Sequence, residues 1–340
     1  MKKVYFKPPF SPAYLGNNLF RIKSKHNTFL DMDKKLLKKG VILNTIDLDK
    51  KNDGDLYIFS ESPYPWEVLM WFKVFATFNK NILLSLESPI VNPFSHMSVM
   101  HSLFKKIYTW DDNRVDSDNK VVKKKYFKFL INQSLVGLDT KVVEFSKRKL
   151  LTFVNSKKDV PFIFLMLSPY KTNLYKERIK SLDFFNKRIP NEFDIYGVGW
   201  DKPILWDIKE RVLGVKQYPT FRRPLYEDKY TTLAKYKFCL CFENSVAPGY
   251  ITEKIFDCFK ARTVPIYWGA PNIEKYINNQ CFIDFRKFDG YEDLLTYLQN
   301  MSGAEYKKYI DAIDGFLKNR VNRKNWFSDN FVDMVLENSK

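Results

Sequence analysis

Histidine and cysteine are scarce in this sequence of 340 residues, with three and four of each, and neither set is spaced to hold a metal. His96 and His101 stand five residues apart, which does not bring both rings to one helical face. Cys239, Cys241, Cys258 and Cys281 include no C-x-x-C pair and read as reduced thiols of a core. Long apolar runs are missing too: the longest candidate, Phe162 to Leu167, is strand-sized, far short of the ~18–20 residues of a membrane span. The start, "MKKVYFKPPFSPAY", has a basic pair, but Lys7, Pro8 and Pro9 break its apolar run too early for a secretory signal. These absences lead us to expect a soluble cytoplasmic protein, or one peripheral at the inner face of the membrane. There are no internal repeats, heptads or Gly/Ser linkers.

What is present is a globular composition, 45% hydrophobic and 17% aromatic, on a chain long enough for two ordinary cores. Lys+Arg outnumber Asp+Glu by 56 to 39, a net charge of +17. That sign favours anionic ligands, anionic membrane surfaces or nucleic acid, although lysines spread along the whole length also describe a generally basic solvated surface.

Short apolar runs at Val4 to Phe6, Val41 to Leu43, "LYIFSE" and Ile82 to Leu86 alternate with helical material such as the basic stretch Asp33 to Lys39 and "PWEVLMWFKVFATFNK". That is the pattern of a parallel α/β sheet. The fourth run ends in "LSLESP", where Pro89 stops the strand and leaves Glu87 at the carboxyl edge of the sheet, facing any cleft between domains. "NPFSHMSVMHSLFKK" and Val121 to Lys149 read as helical, the latter joining two domains, and "LLTFV" opens a second set of strands. Trp200 to Lys235 is periodic in nothing and reads as a surface segment. Two D-x-D pairs, Asp53 with Asp55 and Asp116 with Asp118, read as loop punctuation: one precedes a strand and the other lies in a charged loop.

The most informative stretch is "YKFCLCFENSVAPGYITEKIFDCFKARTVPIYWGAPNIEKY", Tyr236 to Tyr276. Phe238 to Phe242 is a continuous apolar run, a strand buried on both faces; "ENSVAPG" is a loop; Thr252 is placed as an N-cap; and Ile255, Phe256, Cys258 and Phe259 recur at helical spacing before a second strand at Val264 to Trp268. The loop of this βαβ unit lies at the carboxyl end of a parallel strand, where open α/β sheets bind ligands. Lys254 stands in the first helical turn, where the macrodipole disfavours a cation, so an anion is expected between it and the helix end. Gly249 leaves room for a ligand beside the backbone, and Glu253 offers a carboxylate to a ribose diol. A nucleotide diphosphate sugar suits this chemistry. A solvated Glu-Lys pair on an ordinary helix is the alternative.

"YKFCLCFENS", "PGYITEKIFD" and "TVPIYWGAPNIEKYI" resemble, in order, the donor-binding signature of the α-1,3/α-1,4-fucosyltransferases. The resemblance runs from about Glu87 onward and is strongest from Tyr236 to Phe285. It implies a GT-B architecture of two Rossmann-like domains with the active site in the cleft: an acceptor domain over 1–148, a GDP-sugar domain over 149–315, and a C-terminal helix over 316–340 packing back on the first. It further implies GDP-fucose contacts from Asn244, Tyr250, Glu253 and Lys254. The "ESP" at Glu87 matches the segment whose glutamate is proposed as the catalytic base of this family, and Arg178, with Arg188 next, matches its diphosphate-gripping arginine. Where the family has V-S-N, this chain reads Val154-Asn155-Ser156, and Val160 to Thr172 reads as an insertion.

The function so implied is inverting transfer of L-fucose from GDP-fucose to a glycan hydroxyl, GlcNAc of an N-acetyllactosamine-type or surface polysaccharide acceptor, in α-1,3 linkage. No metal or other cofactor is expected, and no nucleic-acid partner. Another GDP-deoxysugar on the same scaffold is one competing reading. A basic nucleic-acid-binding protein is the other, which the absence of RRM, KH or zinc signatures counts against.

Overall fold

The structure is a computed structural model and describes residues 1–9, 12–21, 28–134, 138, 140–203, 208–222 and 229–339. Two all-parallel sheets organise it. The first contains β1 (Lys2–Lys7), β2 (Val41–Thr45), β3 (Leu56–Ser60), β4 (Asn81–Ser85), β5 (Lys106–Thr109) and β6 (Tyr126–Lys128), in the order β2-β1-β3-β4-β5-β6. The second contains β7 (Lys149–Val154), β8 (Phe193–Tyr196), β9 (Tyr236–Phe242), β10 (Val264–Trp268) and β11 (Ile283–Asp284), in the order β11-β10-β9-β7-β8.

Each sheet reverses its direction of winding once, between β1 and β3 in the first and between β7 and β9 in the second. At such a point the connections leave to opposite faces and open a crevice beyond the strand ends. The core follows the same layering. In the first sheet Val4, Phe6 and Ile58 pack on one face with Phe331 and Val335 of the Ser328–Asn338 helix, and Tyr57, Phe59 and Leu83 pack on the other with Val74. The C-terminal chain thus returns to the first sheet, where Lys35 also reaches Asp329. In β9, Phe238, Leu240 and Phe242 point into one core and Cys241 into another, so the strand is buried on both faces as its unbroken apolar run requires. All four cysteines are free and buried.

Three local readings are corrected. Phe162 to Leu167 forms a helix, not a strand, and much of its apolar surface is exposed. Val121 to Lys149 is mostly not helical: after a short turn ending at Lys123 it supplies the edge strand β6, whose Tyr126 and Phe127 pair with Ile107 and Tyr108. "NPFSHMSVMHSLFKK" is a 3-10 turn (Pro93–His96) and one helical turn (Ser98–His101) rather than one helix, because His96 and His101 turn inward and bond to the Glu87 and Ser95 carbonyls. Within Trp200 to Lys235 the chain forms the helices Ile208–Leu213 and Lys229–Leu233; residues 204–207 and 223–228 of that segment lie outside the described residues.

Candidate active site

The two reversal points face one another across a cavity of about 540 Å³. From the first sheet come Pro9 beyond β1 and Ser60 and Glu61 at the end of β3; from the second come Val154, Asn155 and Ser156 at the end of β7, with Asn244 beyond β9. Glu87, Arg178, Asn244, Tyr250, Glu253 and Lys254 all line this one cavity, although nearly 170 residues of sequence separate the first from the last. Arg188 does not: it is exposed and pairs with Glu292.

Glu87 sits on a loop that is held from several sides. Its backbone N–H donates to Glu61 Oε1 at 2.8 Å, its carbonyl oxygen lies 3.0 Å from His96 Nε2, and the next residue, Ser88, meets Ser245 of the other domain hydroxyl to hydroxyl at 2.8 Å. Burial raises the Glu87 carboxyl above the ordinary glutamate range, the charge of Glu253 adds to this, and Lys254 opposes it. Burial also pushes His96 down to about 3, so the imidazole under this loop is neutral.

On the opposite wall Arg178, 3% exposed on the Tyr175–Arg188 helix, donates from Nε and Nη2 to the Phe242 carbonyl and from Nη2 to Asn244 Oδ1 at 2.9 Å. The guanidinium lies over the Tyr175 ring, and Asn244 Nδ2 reaches Tyr250 Oη at 3.4 Å. This chain of contacts fixes the arginine fork and turns the amide at the end of β9.

Lys254 has the anion its position calls for, but that anion is part of the protein. Its Nζ lies 3.1 Å from Glu243 Oε2 and donates to Thr252 Oγ1 at 2.9 Å, with Glu253 Oε1 at 3.5 Å. Burial lowers the affinity of Lys254 for its proton, and the carboxylates of Glu243 and Glu253 outweigh this and raise it. Glu243 is wholly buried and also accepts the backbone N–H and hydroxyl of Thr252. Thr252 therefore holds the N-cap position of the Glu253–Ala261 helix without capping it, since its hydroxyl is taken by Glu243. Glu253 opens into the cleft; desolvation there would raise its carboxyl, but Lys254 and Lys229 hold it down at about 2.

Gly249 serves the domain interface rather than a ligand. At φ +83° a Cβ would come 2.3 Å from the Trp110 carbonyl oxygen and 2.8 Å from Asp112 Oδ2, so only glycine lets this loop press on the first domain. Asp112 in turn accepts from Asn272 at 2.6 Å and Tyr276 at 2.5 Å.

Three supporting residues escaped the sequence reading. Glu61 and Glu243 each follow a parallel strand directly, the signal that singled out Glu87, and could have been found by it. His96 carries no such mark. Glu61 is the most unusual: 2% exposed at φ +68°, it accepts the N–H groups of Leu86 and Glu87 on Oε1, has no hydrogen bond to Oε2 among the described residues, and is pushed up to about 7 by its burial. Asn155 and Ser156 line the cavity, although their motif departs from the family pattern. Among the described residues no group of three or more His, Cys, Asp or Glu side chains is placed to hold a metal. The D-x-D pairs make ion pairs instead, Asp53 with Lys3, Asp55 with Lys2, Asp116 with Lys275 and Asp118 with Lys123, and none of the four aspartates lines the cavity.

Comparison with known proteins finds related sequences and related folds. Residues 192–326 match the glycosyltransferase family 10 (fucosyltransferase) C-terminal domain. An α-(1,3)-fucosyltransferase of Helicobacter pylori is 37% identical over 123 residues, which are 33% of this chain and 25% of that protein. GDP-fucose protein O-fucosyltransferase 3 of Xenopus tropicalis is 38% identical over 97 residues, 28% of this chain and 20% of the relative, so the chain covers a quarter or less of each of these relatives. A crystal structure of an α1,3-fucosyltransferase with GDP superposes with a TM-score of 0.57 at 16% identity, covering 99% of this chain and 88% of the other. An α-glucosyltransferase bound to UDP and DNA superposes at 0.60 with 11% identity, covering 100% and 99%. At these identities the likeness speaks for the architecture, which is GT-B.

Proposed function

We propose, from the match of residues 192–326 to the glycosyltransferase family 10 (fucosyltransferase) C-terminal domain, that the protein transfers L-fucose from GDP-fucose, with inversion, to a hydroxyl of a glycan acceptor. The observation that carries this reading is the meeting of Glu87 from one domain with Arg178, Asn244 and Lys254 from the other in a single cavity.

In the reaction an acceptor hydroxyl attacks the anomeric carbon of fucose, its proton passes to a base, and the bond to GDP breaks on the opposite side. Glu87 is that base: its raised affinity for protons suits an acceptor of the hydroxyl proton better than an ordinary surface carboxylate. Arg178, Lys254 and the uncapped start of the Glu253–Ala261 helix meet the charge that grows on the departing diphosphate. Asn244 and Tyr250 contact the donor, and Glu253, ionised at neutral pH, accepts from the ribose hydroxyls. No metal is required, because cationic side chains and a helix end can do the work a divalent ion would do. The acceptor is GlcNAc of an N-acetyllactosamine-type chain or a surface polysaccharide, linked α-1,3, and the enzyme is cytoplasmic or peripheral at the inner face of the membrane.

The decisive test is product analysis by mass spectrometry, with GDP-fucose set against other GDP-sugars and N-acetyllactosamine-type glycans set against peptide acceptors. Transfer from GDP-fucose to the glycan is expected. Transfer from another GDP-sugar alone would replace the donor in this reading, and transfer to peptide alone would replace the acceptor. Retention of polynucleotide unaffected by GDP would favour a nucleic-acid-binding protein.

A further inference from the structure

The Val68–Ala76 helix, "VLMWFKVFA", is apolar on both sides. Val74 and its neighbours Met70 and Trp71 face the core, whereas Val68, Leu69, Phe72 and Phe75 form one stripe on the other side and are 56%, 78%, 67% and 59% exposed. Trp66, just ahead of the helix, is 64% exposed. The Phe162–Leu167 helix, which follows β7 of the second sheet, repeats the arrangement, with Phe162, Ile163 and Met166 76%, 55% and 58% exposed. Ring contacts make one surface of the two: Phe94 lies 6.3 Å from Trp66 and 6.0 Å from Phe164, and Tyr64 stacks on Trp66 at 4.7 Å. Isolated apolar side chains on a surface need no explanation, but two helices exposing contiguous apolar stripes do.

We infer that this paired face docks the protein on an anionic lipid surface. Neither helix contains an acidic residue, so neither would carry a carboxylate into the interface. The nearby Glu67 is already paired with Lys7 at 3.3 Å, and the Lys171 amino group, bound to the carbonyls of Leu165 and Met166, sets a cation at the rim. Trp and Phe beside lysine are the side chains that settle at a lipid headgroup boundary. A second copy of this chain would cover the same apolar area, but it brings its own +17 charge and is repelled, whereas an anionic bilayer is attracted. Trp66 and Met70 also wall a second cavity of about 410 Å³, which shares Pro9, Ser60 and Glu61 with the first. Docking would therefore hold the acceptor side of the cleft against the bilayer, where a lipid-linked glycan presents its sugar; this last step rests on the fucosyl-transfer reading, and the docking itself does not.

Co-sedimentation with vesicles tests it without donor or acceptor present. The 340-residue chain should partition at least about tenfold better into phosphatidylcholine vesicles containing one third phosphatidylglycerol than into phosphatidylcholine alone, and salt should weaken the difference. Leu69→Glu/Phe72→Glu and Ile163→Glu/Met166→Glu should each lower that partition about tenfold while keeping the parent's circular dichroism and cooperative thermal unfolding, which report an intact fold. Equal partition into both vesicles, no partition at all, or variants that bind like the parent would overturn the inference. So would a concentration-dependent dimer, seen by sedimentation without vesicles and abolished by the same variants, since the face would then belong to a second copy. Loss of fucosyl transfer with vesicle binding intact would count against the enzymatic reading alone.

Discussion

Glu61 Oε1 accepts the backbone N–H of Glu87 at 2.8 Å, so the proposed base is held in place by a second, more deeply buried carboxyl on the neighbouring strand. The raised affinity of Glu61 for protons gives that relationship a signature in stability. A carboxyl with a folded pKa of about 7 keeps its proton where the unfolded chain has lost it. Folding stability from this group therefore declines as pH rises from the ordinary glutamate range towards 7, and is level above that. Glu61→Gln, which is neutral throughout and retains an oxygen for the two N–H groups, should remove the decline. The Tm of the variant minus that of the parent should grow between about pH 5 and about pH 7 and then stay constant. Parallel Tm curves for the two proteins would show that Glu61 is ionised throughout.

Glu87→Gln should leave the Kd for GDP-fucose within a few-fold and lower turnover by ~10²–10⁴, the range of a positioned general base. Because the parent carboxyl is raised, the acid limb of kcat/KM should fall at a pH above the ordinary glutamate value of about 4.3. The active form is the carboxylate, so activity is lost as pH decreases. Glu253→Gln removes a negative charge that raises Glu87 and should move that limb to lower pH. Calorimetry and pH-rate profiles on one preparation check all three points, and near-normal turnover in Glu87→Gln would remove it from the mechanism.

Lys254→Ala should weaken GDP binding far more than guanosine binding, because only the former presents a diphosphate. It should also destabilise the protein by about 3–5 kcal/mol, since the wholly buried Glu243 loses its cation. Adding Glu243→Gln should restore most of the stability and none of the GDP affinity. Thermal denaturation and calorimetry separate the two effects; rescue of both by the double variant would make Lys254 a structural partner of Glu243 only.

Fucosyl transfer should survive exhaustive EDTA treatment. The cavity offers a lysine and an arginine for the diphosphate, while the D-x-D aspartates that could seat a divalent ion are engaged with lysines elsewhere. Activity that vanishes with EDTA and returns with Mn²⁺ would mean that the phosphate site is wrongly assigned.

Much of this architecture was legible because parallel strands buried on both faces must be short, continuous apolar runs. β9 and β10 are the clearest cases, and Glu87 was visible for a related reason, as a carboxylate placed by Pro89 at a strand end. Where the local pattern misled, a long-range contact had overridden it. Phe162 to Leu167 has the composition of a strand, but among the described residues no strand pairs its backbone, and it closes its own hydrogen bonds as a helix. Tyr126 to Lys128 has a helical neighbourhood, but Ile107 to Thr109 offers an open edge for it to join.

The sequence by itself determined the alternation of strand and helix, the reduced core thiols and the set of polar residues around one donor-like loop, because period, turn chemistry and motif order are properties of neighbouring residues. Only the tertiary structure decided that Lys254 answers to Glu243, that Gly249 yields to Trp110 and that Glu61 holds Glu87. Each of these depends on which side chains burial forces together, and the free energy of a buried charge or a close backbone approach is set by partners that neighbouring residues do not reveal.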